Sequence, residues 1–181
     1  MRTLGVVLAR GQSRRFGSDK AAALLGGCPL LNHALQALRP HCDSVAIAGR
    51  GSMLALALPD WPTPGMGPLG GLAAGLRYAC DHGFDQLLSL PVDCAHLPAN
   101  LRRLLDPAPS FIAAQPVIGL WPAGAAAAIE ANLRGAGGHT VRAFAEAIGA
   151  RAVTGTVMPD NINTPQDLAR VAKQRDRICQ G

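Results

Sequence analysis

The run Leu4-Gly5-Val6-Val7-Leu8-Ala9 constrains the fold most: it is six residues long and carries no polar side chain. A strand with one wet face would alternate polar and apolar positions. A strand that is apolar at every position is covered on both faces, the pattern of a parallel sheet between two layers of helices. Ser44–Ala48 reads as a second buried strand, and Gln86–Leu90 as a third, closed by Pro91. Between and after them the spacing predicts helices over Leu30–Leu38, Leu72–Asp81, Ala99–Leu105, Ala123–Leu133 and Thr140–Ile148. Leu30, Leu31, Ala34, Leu35 and Leu38 fall on one face of the first helix. Pro59–Gly71 holds four prolines and four glycines and reads as loop. Phe111–Ala114 and Val117–Trp121 read as short strands near the sheet edge, and Arg151–Val153 as another strand. A last helix starts with Thr164 as N-cap and Pro165 in its first turn, and runs to about Arg175.

Alternation of strands and helices gives an α/β fold with a mostly parallel sheet. At 181 residues, with no linker or shift in composition, the chain is expected to be a single domain over 1–181. Ligands of such sheets bind beyond the carboxyl ends of the strands. The loops after Ala9, Ala48 and Leu90 are therefore where a site is expected.

Composition narrows the partners. Aromatic residues are 4%, too few for a stacking platform on single-stranded nucleic acid, and the net charge of +5 shows no sharp basic stripe. The charge does admit an anionic partner. The five cysteines are odd in number and form no C-x-x-C pair, which argues against a zinc ribbon or a disulfide framework and for reduced thiols. None of the five histidines has metal-ligand spacing, although His96 lies three residues after Asp93. The first apolar run is too short for a signal peptide, and no run approaches a membrane span. A cytoplasmic protein without nucleic-acid or membrane partners is expected.

The loop after the first strand, Arg10 to Lys20, sets Arg14, Arg15 and Lys20 among Gly11, Gly17 and small polar residues. Glycines let a backbone approach a phosphate, and three cations match the charge of a triphosphate. The loop is neither a Walker A motif nor a G-x-G-x-x-G fingerprint. On its own it is equally a solvated surface turn. Asp93, just past the third strand, is placed to hold Mg²⁺ or, as plainly, to cap a turn. Gly67–Gly71 opens a helix whose N-terminus favours an anion, or simply packs loop against helix.

Five stretches in order resemble the molybdenum cofactor guanylyltransferase family. Leu8 to Lys20, L-A-R-G-Q-S-R-R-F-G-S-D-K, resembles its L-A-G-G-x-S-x-R-M-G-x-D-K. Gly67 to Leu72 resembles G-P-L-A-G-[IL], and Leu90 to Pro98 resembles P-C-D-[TM]-P-x-[IL]-P. Gln115 to Trp121 resembles H-P-[VL]-[FI]-[AG]-L-[WV], and Asn161 to Leu168 resembles N-[IV]-N-T-P-E-[DE]-L. The first motif is shared by several nucleotidyltransferases; the ordered set is far more specific.

The resemblance implies a three-layer α/β/α, Rossmann-like fold of the nucleotide-diphospho-sugar transferase type. It implies transfer of GMP from GTP to molybdopterin with release of pyrophosphate and with Mg²⁺ as cofactor. Leu8, Ala9, Arg10 and Gly11 would lie against the nucleotide. Arg15 and Lys20 would grip its phosphates, and Asp93 would bind the metal. Gly67 would approach the nucleotide, Asp60 would face the guanine or, as readily, be a solvated surface Asp, and Asn161 and Asn163 would hold the pterin substrate. Molybdoenzymes or cofactor-insertion proteins are the implied recipients of the product.

Three departures are visible. Arg10 stands where the family has the first glycine of A-G-G, Gly49 where an Asn is common in A-N-R, and Gln115 where a His or Arg precedes the proline. Arg10 and Gly49 leave two alternatives open, cytidylyl transfer to the same cofactor and a nucleotide-binding adaptor without catalysis. Gly70-Gly71 and the N-x-N-T-P motif favour the guanylyl reading, and the retained Lys20 and Asp93 favour catalysis.

Overall fold

The computed structural model describes residues 1–9, 20–94, 97–135, 139–155 and 167. The apolar run forms β1 (Thr3–Leu8), buried at every position. Its side chains divide between two cores by simple alternation. Leu4, Val6 and Leu8 join one cluster, and Val7 joins the other. Gly5 completes the second set: a Cβ there would lie 2.8 Å from Leu38 Cγ and from Cys42 Sγ, so its absence lets the following helix settle onto the strand.

After β1 come a short hairpin, β2 (Leu24–Leu25) and β3 (Cys28–Pro29), and then α1 (Leu30–Leu38). The hairpin turns through Gly26 and Gly27, both at positive φ, as a two-residue Gly-Gly turn demands. β4 (Ser44–Ala48) and β5 (Leu56–Leu58) follow, then α2 (Gly67–Asp81), β6 (Gln86–Pro91) and α3 (Leu101–Leu105). The remainder is β7 (Ser110–Ile112), β8 (Gln115–Pro122), α4 (Ala126–Arg134), α5 (Val141–Ala147) and β9 (Arg151–Val153). Thr140 caps α5, its hydroxyl accepting from Ala143 N at 3.1 Å.

Among the described residues the main sheet has seven strands in the order β5-β4-β1-β6-β8-β7-β9. All its pairings are parallel except those of β8, which runs antiparallel to β6 and β7. Helices α2, α4 and α5 cover one face and α1 and α3 the other, giving the expected three layers. The chain leaves β1 toward β4 through α1 on one face and returns to the far side of β1, at β6, through α2 on the other. The strand order therefore reverses between β1 and β6, where open α/β sheets bind ligands.

Two expectations are corrected. The segment 67–71 is helix and not loop: α2 starts at Gly67, with Pro68 in its first turn. Glycines disfavour a helix by roughly 1 kcal/mol each, but close packing outweighs that here. A Cβ on Gly75 would lie 2.7 Å from Leu87 Cδ1, and one on Gly71 would lie 3.1 Å from Leu8 Cδ2. β8 also lies beside β6 inside the sheet, and β9 holds the edge. The last predicted helix falls outside the described residues except for Asp167, which is helical. Among the described residues no helix is long and apolar enough to cross a membrane.

Two polar devices sit within this frame. Trp121, fully buried on β8, donates its indole N–H to Ser89 Oγ at 2.8 Å, and Ser89 donates to Val117 O at 2.6 Å. Gly119 leaves room for the flat ring, since a Cβ there would collide with it. At the amino ends of the strands, Arg102 on α3 donates to Thr3 Oγ1 at 3.1 Å and to Gln86 Oε1 at 3.2 Å. Burial pushes the nearby Cys42 thiol up to about 12, with the Arg102 charge acting in the opposite direction.

Ser89→Ala leaves a buried indole N–H without its acceptor and should cost about 1–3 kcal/mol in urea unfolding. A loss below about 0.5 kcal/mol would show that Ser89 is not what satisfies Trp121. The Cys42 thiol ionises later folded than unfolded, so its contribution to stability is intact below its ordinary value of 9.0 and is lost as pH rises toward about 12. From about pH 8 to about pH 10.5 the wild type should lose about 2 kcal/mol more stability than Cys42→Ala loses over the same range.

Candidate active site

The carboxyl ends of three neighbouring strands stay tied just beyond their ladders. Ala9 N donates to Ala48 O at 3.0 Å, joining β1 to β4, and Val92 N donates to Leu8 O at 3.3 Å, joining β6 to β1. The chain after β6 turns at once, with Cys94 N donating to Pro91 O at 3.2 Å. Val92 and Cys94 are anchored in the core, and Asp93 between them is half-buried, with Oδ1 buried. The strand and its turn thus hold one carboxylate at the edge where the strand order reverses.

A cleft of about 340 Å³ opens on the β4–β5 side of the same edge. It is lined by Gly49, Arg50 and Gly51 after β4, by Ala57 and Leu58 of β5, and by Pro59, Asp60 and Pro64. Gly49 has φ +88 and donates from its backbone N to Leu58 O at 3.0 Å. Glycine and asparagine are the residues that enter this left-handed region most readily, so glycine preserves the backbone where the resembling family has Asn. What is lost is only the side-chain amide.

Asp60 is 5% exposed, and its Oδ2 accepts from Gly65 N at 3.2 Å. Gly71 shows what surrounds it. A Cβ on Gly71 would lie 3.1 Å from Leu8 Cδ2, 3.2 Å from Ala48 Cβ and 3.7 Å from Asp60 Oδ1. Leu8 at the end of β1, Ala48 at the end of β4 and Asp60 therefore converge on one glycine of α2. Gly67 works differently. Its φ of +67 requires glycine, while a Cβ would meet nothing within 4 Å, so the turn into α2 and not close approach explains it.

The chemistry of this edge is that of hard oxygen acceptors beside glycine-rich backbone. A buried carboxylate such as Asp60 can accept paired N–H groups from the edge of a base. Among the described residues no three His, Cys, Asp or Glu side chains gather as a metal cluster. A lone carboxylate such as Asp93 nonetheless fits Mg²⁺, which keeps waters and takes substrate phosphate oxygens for most of its shell.

Of the residues singled out in the sequence, Leu8, Ala9, Asp60, Gly67 and Asp93 lie in described segments, and all but Gly67 are placed along this edge by the contacts above. Arg10, Gly11, Arg14, Arg15, His96, Asn161 and Asn163 lie outside the described residues, as does the Lys20 side chain. The sequence flagged the loop after Ala48 but not Arg50, Leu58 or Pro59 individually. Arg50 is adjacent to the flagged Gly49, whereas Leu58 gains its place only through the pairing of β5 with β4.

Residues 5–152 match the MobA-like NTP transferase domain family. A molybdenum cofactor guanylyltransferase of Acidiphilium cryptum is 39% identical over 177 residues, covering 90% of each chain. One of Rhodobacter capsulatus is 37% identical over 99% of this chain and 98% of its own. Among solved structures, molybdopterin-guanine dinucleotide biosynthesis protein A of Archaeoglobus fulgidus superposes with a TM-score of 0.74 over 97% of this chain and 99% of its own, at 19% identity. A 4-diphosphocytidyl-2C-methyl-D-erythritol synthase superposes with a TM-score of 0.68 over 97% of this chain and 100% of its own, at 15% identity, so the likeness is one of fold. The fold is that of the nucleotide-diphospho-sugar transferases, and the chain belongs to the MobA-like NTP transferase family of nucleotidyltransferase enzymes.

Proposed function

We propose that this nucleotidyltransferase transfers GMP from GTP to molybdopterin and releases pyrophosphate. The observation that carries the reading is its relationship to molybdenum cofactor guanylyltransferases at 37–39% identity over at least 90% of the chain. The geometry is consistent with it. The cleft holding Asp60 suits a guanine, whose N1–H and 2-amino group are paired donors for one carboxylate. Asp93 lies beyond β6, on the other side of β1, where the triphosphate would extend.

A terminal phosphate oxygen of molybdopterin forms a bond to the α-phosphorus of GTP. The bond from that phosphorus to the bridging oxygen breaks, and pyrophosphate leaves with the electron pair. The nucleophile is already an anion near neutral pH, so positioning and charge neutralisation supply most of the catalysis. Asp93 would hold Mg²⁺, which when bound would neutralise charge on the phosphate oxygens. Arg15 and Lys20 grip the phosphates, and Leu8, Ala9, Arg10 and Gly11 lie along the nucleotide. Asn161 and Asn163 hold the pterin. The chain works as a single cytoplasmic domain whose product passes to molybdoenzymes or cofactor-insertion proteins.

The test is pyrophosphate release with Mg²⁺, molybdopterin and each of the four nucleoside triphosphates in turn. Release with GTP alone is expected. Release with CTP alone would assign a cytidylyl transferase, and bound nucleotide without release would assign an adaptor. Asp93→Asn should lower the rate by about a hundredfold or more with an unchanged circular dichroism spectrum, as expected where a metal ion stabilises the transition state by several kcal/mol. An active, Mg²⁺-dependent Asp93→Asn enzyme would overturn the metal assignment.

A further inference from the structure

Asp60 sits at the start of a proline-rich loop, and a carboxylate on such a loop reads a base only if the loop is held in place. The residue after it, Trp61, is half-buried, and its ring lies against the core cluster on the α2 face. Its backbone N donates to Gly70 O at 3.1 Å, which fastens the loop to the first turn of α2. Its buried indole N–H has no hydrogen-bond partner among the described residues. The ring is instead held by its face: the Arg77 guanidinium carbon lies 3.9 Å from the ring centroid.

Arg77 is held in turn. Its Nη1 lies 3.6 Å from Glu130 Oε1 on α4, and its Nε lies 3.9 Å from Asp81 on its own helix. Glu130 is also engaged by Arg134, at 3.6 Å. Two acidic groups thus hold the guanidinium from outside while its carbon sits over the indole. Arg77 and Asp81 are half-exposed or more, and such ion pairs contribute about 1 kcal/mol or less to stability. A cation over a tryptophan face contributes a similar amount, about 0.5–1 kcal/mol at an exposed site. Stability alone therefore gives little role to so ordered a stack. Its geometric consequence is larger, because it fixes the residue next to Asp60.

We propose that Arg77, stacked on Trp61 and braced by Glu130, is a positioning residue that sets the nucleobase specificity of the enzyme by fixing Asp60 in the base cleft. This rests on the reading of Asp60 as the carboxylate that faces guanine. Arg77 touches neither nucleotide nor metal; it acts through the ring it covers. Removing it frees the loop to shift, and the paired acceptance of N1–H and the 2-amino group is the contact most sensitive to a shift.

The test compares GTP with ITP, which lacks the 2-amino group, in steady-state pyrophosphate release by the full chain. In Arg77→Ala, KM for GTP should rise about tenfold with kcat within about twofold, and the GTP/ITP preference in kcat/KM should fall by about tenfold. The thermal midpoint should move by only a few degrees, as expected for a loss near 1 kcal/mol. Arg77→Lys, which keeps a cation over the ring, should recover much of the preference. Equal losses for GTP and ITP, or a preference unchanged in Arg77→Ala, would overturn the proposal. Asp60→Asn separates the two levels of inference. A preference that collapses in Asp60→Asn but survives in Arg77→Ala overturns the positioning role alone. A preference indifferent to Asp60→Asn overturns the guanine-facing assignment of Asp60, and the positioning role with it.

Discussion

The site depends on how closely α2 can lie against the sheet. Gly71 and Gly75 remove the atoms that would hold the helix off β1, β4 and β6, where a Cβ would sit 2.7–3.2 Å from Leu87, Leu8 and Ala48. At interior packing density there is no spare volume to absorb such atoms. The same approach brings Asp60 beside the ends of β1 and β4. It also turns the outer face of α2 so that Arg77 stands over Trp61 and within reach of Glu130 on α4. One packing contact therefore sets the depth of the cleft and the footing of the loop that lines it.

The two ends of the sheet are fastened differently. At the amino ends, side chains tie the strands. Arg2 N donates to Asp85 at 2.6 Å, Thr3 N donates to Asp43 at 2.7 Å, and Arg102 bridges Thr3 and Gln86. Burial and the Arg102 charge hold His41 below its ordinary pKa there. At the carboxyl ends, among the described residues, single backbone bonds tie the strands past the ladder, and the chain then turns at Gly49 and at Asp93. Under the proposed reaction, Asp93 would hold the metal at this edge and Asp60 would face the base.

What was legible in the sequence was what local pattern determines. The two-sided burial of β1 follows from six apolar positions in a row, and the rule about carboxyl ends says where a candidate site is to be sought. The segment 67–71 was misread because glycine and proline signal loops when judged by propensity, whereas here they are the residues a helix needs to start after a positive φ and to touch a sheet. The place of β8 beside β6 was hidden for a related reason. Its antiparallel pairing is settled by which strands meet in space, and Val117–Trp121 carries no local mark of that. Trp121 depends on Gly119 and Ser89 together, a fit across two strands that a linear reading does not show.

The departures from the family pattern divide along the same line. At Gly49 the structure explains the change, because the backbone there is left-handed and glycine satisfies it as readily as asparagine. Glycine there lacks a side-chain amide but leaves the cleft wall intact. Among the described cleft residues, Asp60 is the side chain that could accept paired donors from the proposed guanine, since the glycines and prolines beside it offer only backbone and Arg50 only donors. On the proposed reading, discrimination of the base would then depend more heavily on where that carboxylate is held. The positioning role proposed for Arg77 on Trp61, the residue next to Asp60, follows from that dependence.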